Sequence, residues 1–193
     1  MNTGKLIVIS APSGTGKTTI CKRLIQNNPQ WKFSISATTR ELREGEVDGK
    51  DYIYMSNEKF EHGVMFGDFL EWEWVHGNKY GTPIDQIEDA LGAGHTMLLD
   101  IDVKGGKSVM EEFPDETIGI FIEPPGDDTA EQLETLENRL NERGNEPPQL
   151  IVKRLKRFPL EIEYKEKFMF HFINEDLNET IKDIDKMIKE NLK

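Results

Sequence analysis

The sequence predicts an α/β fold: a parallel sheet flanked by helices, with a small mixed-sheet lobe inserted into it and a helical lid. Three observations predict it. Unbroken apolar runs such as Leu6-Ile7-Val8-Ile9 read as strands buried on both faces, as parallel pairing requires. Segments with helical apolar spacing alternate with those strands, which puts helices on the faces of the sheet. Two stretches break the alternation: 33–80 is dotted with glycines, and 124–157 is charged and interrupted by prolines.

In chain order, Lys5 to Ser10 is the first strand, and a glycine-rich turn follows it. From Lys17 the run TTICKRLIQNN sets Ile20, Leu24 and Ile25 on one helical face and ends near Asn27 and Asn28, before Pro29. Between Phe33 and Tyr80 the short alternating segments FSISA, YIYM and FLEWEWV are separated by Gly45, Gly49, Gly63, Gly67 and Gly77, which predicts a small mixed sheet. A helix from Pro83 to Leu91 leads to the second core strand, Met97 to Ile101, and a helix from Lys104 to Phe113 leads to the third, Ile118 to Ile122. The stretch from Pro124 to Arg157 breaks at Pro124-Pro125 and Pro147-Pro148 and otherwise reads helical from Thr129 to Arg143, the composition of an exposed, movable flap. Phe168 to Ile173 is the fourth strand. Leu177, Ile181, Ile184 and Ile188 then line one face of a closing helix, Asp176 to Leu192. The expected organisation is one domain with a core of 1–32, 83–123 and 158–193, a lobe of 33–82 and a lid of 124–157. Hinges are expected at Ser34 to Ala37, Gly81 to Pro83 and Pro124 to Gly126.

Composition narrows the function classes. At 193 residues, with 36% hydrophobic and 31% charged residues, the chain is long and apolar enough to bury a core and is no disordered segment. No apolar run approaches the ~18 to 20 residues of a membrane helix, and the first one is too brief for a secretory signal, so the expected location is cytoplasmic with no membrane partner. The single cysteine, Cys21, excludes an intrachain disulfide and suits a reducing compartment. A formal charge of −12 opposes nonspecific attraction to nucleic acid polymers. Any anion must be captured locally.

The strongest local signal is Ala11-Pro12-Ser13-Gly14-Thr15-Gly16-Lys17-Thr18, set between a strand and a helix. It nearly matches the phosphate-binding loop GxxxxGK[ST], with Ala11 standing where the general pattern has glycine. Gly14 and Gly16 can turn successive amides inward at the positive end of the helix, Lys17 would reach outer phosphate oxygens, and the Thr18 hydroxyl would coordinate magnesium. The bland alternative is a glycine-rich turn with a solvated lysine. Arg40 and Arg43 lie three residues apart with Tyr52 downstream, a cation set suited to a second, separate phosphate; the alternative is a solvated loop paired with Glu41, Glu44 and Glu46. Glu71 can accept two hydrogen bonds from a base presenting adjacent N–H groups, as guanine does, or be a solvent-facing strand residue. None of His62, His76, His95 and His171 has a partner spacing that suggests proton transfer, and all four read as structural.

These residues carry a resemblance to the bacterial branch of the guanylate kinase family. It runs nearly end to end through SAPSGTGKTT, SATTRELREGEVDGKDY, FLEWEWVHGNKYGTP, LLDIDVKGG, ENRLNERG and INEDL, in the family's order. The resemblance implies a phosphate-loop (P-loop) kinase that moves the terminal phosphoryl group of ATP to GMP, giving ADP and GDP, with dGMP also accepted, in purine nucleotide metabolism. It implies an ATP site at Ala11, Pro12, Ser13, Gly14, Thr15, Gly16, Lys17, Thr18 and Asn174, the last near adenine, although an asparagine after a strand is often only a turn former. GMP phosphate contacts fall on Arg40, Arg43, Tyr52 and Tyr80, guanine contacts on Ser36, Glu71 and Thr82, with Asp100 close to the acceptor. Catalytic charge falls on Lys17 and on the lid arginines Arg139, Arg143 and Arg154. Mg2+ would be served by Thr18 and Asp102, or Asp102 would be only a capping or turn residue. The segment EPPGDDTAEQLETLENRL looks longer than is usual for the family, which bears on lid geometry rather than on chemistry. A relative acting on another small acceptor, such as ribose 1,5-bisphosphate, and a binding module that has lost catalysis are the rival readings.

Overall fold

The computed structural model describes residues 4–75, 77–142 and 147–192. Strand β1 (Lys5–Ser10) lies at the centre of a five-stranded sheet. It is flanked by β7 (Thr96–Asp100) and β8 (Thr117–Glu123), with β2 (Lys32–Phe33) and β9 (Phe170–Ile173) at the edges; every pairing is parallel. Because side chains alternate along a strand, β1 feeds two cores. Ile7 and Ile9 pack with Ile20 and Leu24 of α1 (Lys17–Asn27) and with Ile181, Ile184 and Ile188 of α8 (Leu177–Asn191). Leu6 and Val8 pack with Ile87 of α3 (Ile84–Gly92) and Val109 of α4 (Val103–Glu112) on the opposite face. Helices thus cover both sides, and Ser10, Asp100 and Glu123 end their strands along the same carboxyl edge, where ligands of such sheets gather.

The second sheet has the order β4-β3-β6-β5, built from β3 (Ala37–Thr38), β4 (Ile53–Tyr54), β5 (Phe69–Val75) and β6 (Asn78–Pro83). β3 and β4 are parallel; β6 runs antiparallel to both β3 and β5. Two expectations are corrected here. The FSISA segment is divided, since Phe33 pairs with Leu98 in the core sheet while Ala37 pairs with Gly81 in the small one. The stretch read as short strand segments separated by glycines also contains a helix, α2 (Asn57–Phe66). Ser56 caps it by accepting from the Lys59 amide, Gly67 ends it at φ +75°, and Gly63, expected to be a break, is a buried contact face against Phe69.

The third departure lies in the stretch read as a flap. Helix α5 (Thr129–Glu142) forms where expected, but a further helix, α6 (Pro148–Leu155), follows within the stretch, and α7 (Phe158–Glu163) comes directly after it. Pro147 caps α6 and Pro148 opens it, because a proline at the first helical position loses no internal hydrogen bond; the pair starts a helix rather than only breaking one. Nor is α5 bare: Leu136 and Leu140 are buried, and a Cβ added at Gly14 would lie 3.3 Å from Leu136 and 3.2 Å from Leu140. The phosphate-loop glycine leaves the room that α5 fills. No helix among the described residues is long and apolar enough to cross a membrane.

Candidate active site

The loop from Ala11 to Gly16 leaves the central strand and turns into α1 through two glycines with positive φ, +96° at Gly14 and +102° at Gly16, a region that disfavours side chains. No side chain caps α1 and its first turn has no acidic residue, so its amides and positive dipole end are left to an anion. Asn174 braces the loop from beneath: it is buried, its amide nitrogen donates to the Thr15 carbonyl at 2.6 Å, and a Cβ on Gly16 would meet that nitrogen at 2.7 Å. Lys17 donates to the Ile101 carbonyl at 2.6 Å and pairs with Asp100 at 2.7 Å. Burial alone would lower the lysine's pKa, but the Asp100 charge and hydrogen bond outweigh it and raise the pKa, so the ammonium stays charged. Thr18 is exposed on the cleft side of the loop.

Across the cleft, the loop between β3 and β4 presents Arg40. Glu46 grips it with both oxygens, at 2.8 and 3.0 Å, and also accepts from the Arg43 amide and the Tyr54 hydroxyl. The Arg40 hydrogen bond is the main reason the Glu46 carboxyl is pulled down to about 2. Tyr52 and Tyr54 lie under the guanidinium at 5.3 and 5.6 Å, and Tyr52 meets Tyr80 edge-on. The loop pairing weighed as the bland alternative therefore exists, and it orients the arginine. Glu71 on β5 accepts from the Thr82 hydroxyl on β6 at 2.6 Å. Burial is the largest influence on Glu71 and lifts its pKa to about 7 against the Thr82 hydrogen bond, with the charges of Asp102 and Glu73 pushing the same way.

These two walls bound one cleft of ≈ 710 Å³, lined by the phosphate loop on one side and by Ser36, Arg40, Arg43, Tyr52, Glu71 and Tyr80 on the other. Asp100 and Asp102 lie on its floor and Arg154 on its rim, where the Arg154 Nε donates to the Ser13 hydroxyl at 2.7 Å. Thr82 reaches it through Glu71. A second pocket of ≈ 350 Å³ opens behind the loop between Gly14, Gly16, Arg139, Asn174 and Leu177. Arg139 belongs to that pocket, donating to the Asn174 carbonyl at 2.8 Å, and not to the main cleft where charge neutralisation was expected. Arg143 and His76 lie outside the described residues, and His62, His95 and His171 line neither pocket.

Three charged cleft residues were missed by sequence reasoning. Glu161, on α7, accepts from the Ser13 amide at 3.2 Å; Arg157, one turn earlier, reaches it at 3.4 Å and Asp102 at 3.7 Å. Burial pushes the Glu161 carboxyl upward. The i, i+4 spacing of Arg157 and Glu161 was legible, but their approach to the phosphate loop depends on how α7 docks. Glu73 also lines the cleft. Asp102 does cap α4, its Oδ1 accepting from the Lys104 and Gly105 amides, while its Oδ2 is buried without a hydrogen-bond partner among the described residues. A hard cation such as Mg2+ takes oxygen ligands from few protein groups and completes its shell with phosphate and water, so the unsatisfied Asp102 oxygen and the open Thr18 hydroxyl fit it.

The family model for guanylate kinase matches residues 3–191. The chain belongs to the guanylate kinase family. It is 43% identical over 188 residues to the guanylate kinase of Clostridium tetani, covering 97% of this chain and 86% of the relative. It is 44% identical over 181 residues to that of Caldanaerobacter subterraneus subsp. tengcongensis, covering 94% and 84%. The crystal structure of guanylate kinase from Anaplasma phagocytophilum superposes with a TM-score of 0.77 at 30% identity, covering 100% of this chain and 88% of that one. The likeness thus extends to both sequence and fold, over nearly the whole chain.

Proposed function

We propose that this chain is an ATP:GMP phosphotransferase that converts ATP and GMP to ADP and GDP, accepts dGMP as well, and works in the cytoplasm. The observation that carries the reading is the single cleft in which the phosphate loop faces the Arg40, Tyr52 and Tyr80 cluster, with Glu71 beside it. Transfer between two phosphates needs both anions in line, their charge offset and water kept away, and little covalent help. The loop amides and Lys17 hold the donor phosphates; Arg40 and Arg43, with Tyr52 and Tyr80, fix the acceptor phosphate in the orientation that Glu46 imposes. Ser36, Glu71 and Thr82 read the base, the ionised Glu71 accepting from two adjacent guanine N–H groups, a pair adenine lacks.

Asp100 tethers Lys17 and stands near the acceptor. Arg154, with Arg143, offsets charge on the transferring group, while Arg139 acts from the donor side and Asn174 supports the loop around adenine. Thr18 and Asp102 would hold Mg2+, which when bound neutralises donor phosphate charge. No general base is needed, because the acceptor is already an anion near neutral pH. The three parts of the chain, 33–82, 124–157 and the remainder, act as acceptor lobe, lid and core, so that closure on both substrates excludes water.

A coupled assay of ADP formation across GMP, dGMP, AMP, CMP and UMP tests this. Turnover confined to the guanine nucleotides is expected. Preference for another acceptor would transfer the site to a different kinase reaction, and no turnover with any of them would favour a binding module.

A further inference from the structure

The contact between β5 and α4 joins the small sheet to the core at two points outside the residues assigned above. Glu73 lies two positions beyond Glu71 on β5, hence on the same face. Both of its oxygens meet the Lys104 ammonium, at 3.0 and 3.1 Å. One residue on, Gly105 has no side chain where one would collide: a Cβ there would lie 2.7 Å from the Glu71 carboxyl carbon and 2.6 Å from Ile101 Cδ1. The opposite face of β5 carries the exposed Trp72 and Trp74, with Trp72 lying edge-on to the buried Phe60 of α2. β5 is also an edge strand, held within its own sheet by β6 alone. Its polar and steric contact with α4 is made by the face that carries Glu71 and Glu73, beside Leu70, which packs against the core cluster of Ile101 and Val103.

We propose that Lys104, acting through Glu73, and Gly105 form a seat on the first turn of α4 that registers the acceptor lobe on the core and so aims Glu71 at the acceptor base. Both are positioning residues, and the inference rests on the guanine-reading role given to Glu71. The ion pair is partly exposed, 42% at Lys104 and 22% at Glu73, so its share is modest, a two- to fivefold effect on acceptor affinity. The Gly105 contact is steric. Moving the carboxylate aside by even a few tenths of an ångström misaligns a pair of hydrogen bonds, and about tenfold or more is expected.

The test is steady-state kinetics on K104M, E73Q, the double variant and G105A, with thermal melts in parallel. KM for GMP is expected to rise about two- to fivefold in each single charge variant, with KM for ATP and kcat at saturating GMP within about twofold of the parent. The double variant should be no worse than the poorer single one, because two partners of one contact do not lose it twice. G105A should raise KM for GMP about tenfold or more, the melt in parallel showing whether it is still folded. If K104M leaves KM for GMP unchanged, or if the two charge effects simply add, the seat is refuted even should G105A fail to fold. A parent enzyme that does not use GMP at all would instead refute the assigned activity, so the two failures are told apart.

Discussion

If Glu71 reads the acceptor base as proposed, the enzyme's grip on GMP should depend on pH within the physiological range. The Glu71 carboxyl, raised to about 7 chiefly by burial, must be ionised to accept from two guanine N–H groups. The sign follows directly: a raised pKa means that the proton competes with GMP on the acid side, so affinity falls as pH falls. With that value about ten in eleven Glu71 side chains are ionised at pH 8 and about one in eleven at pH 6, so the Kd for GMP should rise about tenfold over that interval. At pH 7 binding should release about half a proton, because roughly half of the unliganded sites must ionise. Titration calorimetry of GMP alone at several pH values, in buffers of different ionisation enthalpy, measures both quantities. The acceptor phosphate also titrates, near pH 6, and contributes to any pH profile. Glu71→Gln separates the two: it should bind GMP more weakly by ~1 to 3 kcal/mol, the scale of hydrogen bonds to a charged group, and keep only the phosphate's pH dependence. If parent and variant show the same pH slope and the same proton release, Glu71 is not the group that reads the base.

Lys17→Ala should lower kcat by about two to three orders of magnitude, the scale of losing one preorganised charged donor, while GMP affinity measured by calorimetry stays within about twofold. Leu136→Ala removes a fully buried side chain between α5 and the phosphate loop and should cost about 2 to 5 kcal/mol in urea unfolding; a loss below about 1 kcal/mol would mean that α5 does not pack there as described. Ser56→Ala deletes the cap of α2 and should destabilise the protein by about 1 kcal/mol with kcat unchanged, a result that also checks the helix itself.

The core was legible because its signals are local and repeated. Leu6 to Ile9 with no polar break, bounded by a glycine-rich turn, reads as a strand covered on both sides, and a glycine-rich loop ending in Gly16-Lys17-Thr18 between that strand and a helix has one common use. Helix α2 was hidden because Gly63 and Gly67 read as punctuation. Gly67 does end the helix, but Gly63 is a contact surface for Phe69, and a packing role at a glycine has no signature in the chain itself. The prolines before α6 were ambiguous for a similar reason, since the same residue breaks a helix interior and opens a helix.

The candidate site divides along the same line. Residue types determined that Arg40, Arg43 and Glu71 were worth watching, because guanidinium and carboxylate chemistry is written in each side chain. That Arg40 is an oriented rather than a freely solvated cation was decided by Glu46, Tyr52 and Tyr54 arriving around it from three points of the lobe. Arg139 and Arg154 looked equivalent in the chain, yet the path of α5 and α6 sends one behind the phosphate loop and the other onto the main cleft. Glu161 and Arg157 gained a place beside Ser13 and Asp102 only through the docking of α7. What the chain determined by itself was the chemistry available and the order of strands and helices, since both depend on residue type and short-range spacing. Distances between groups far apart in sequence, the burial that lifts Glu71, and the pairing of every charge depend on how those elements pack, and only the tertiary structure decided them.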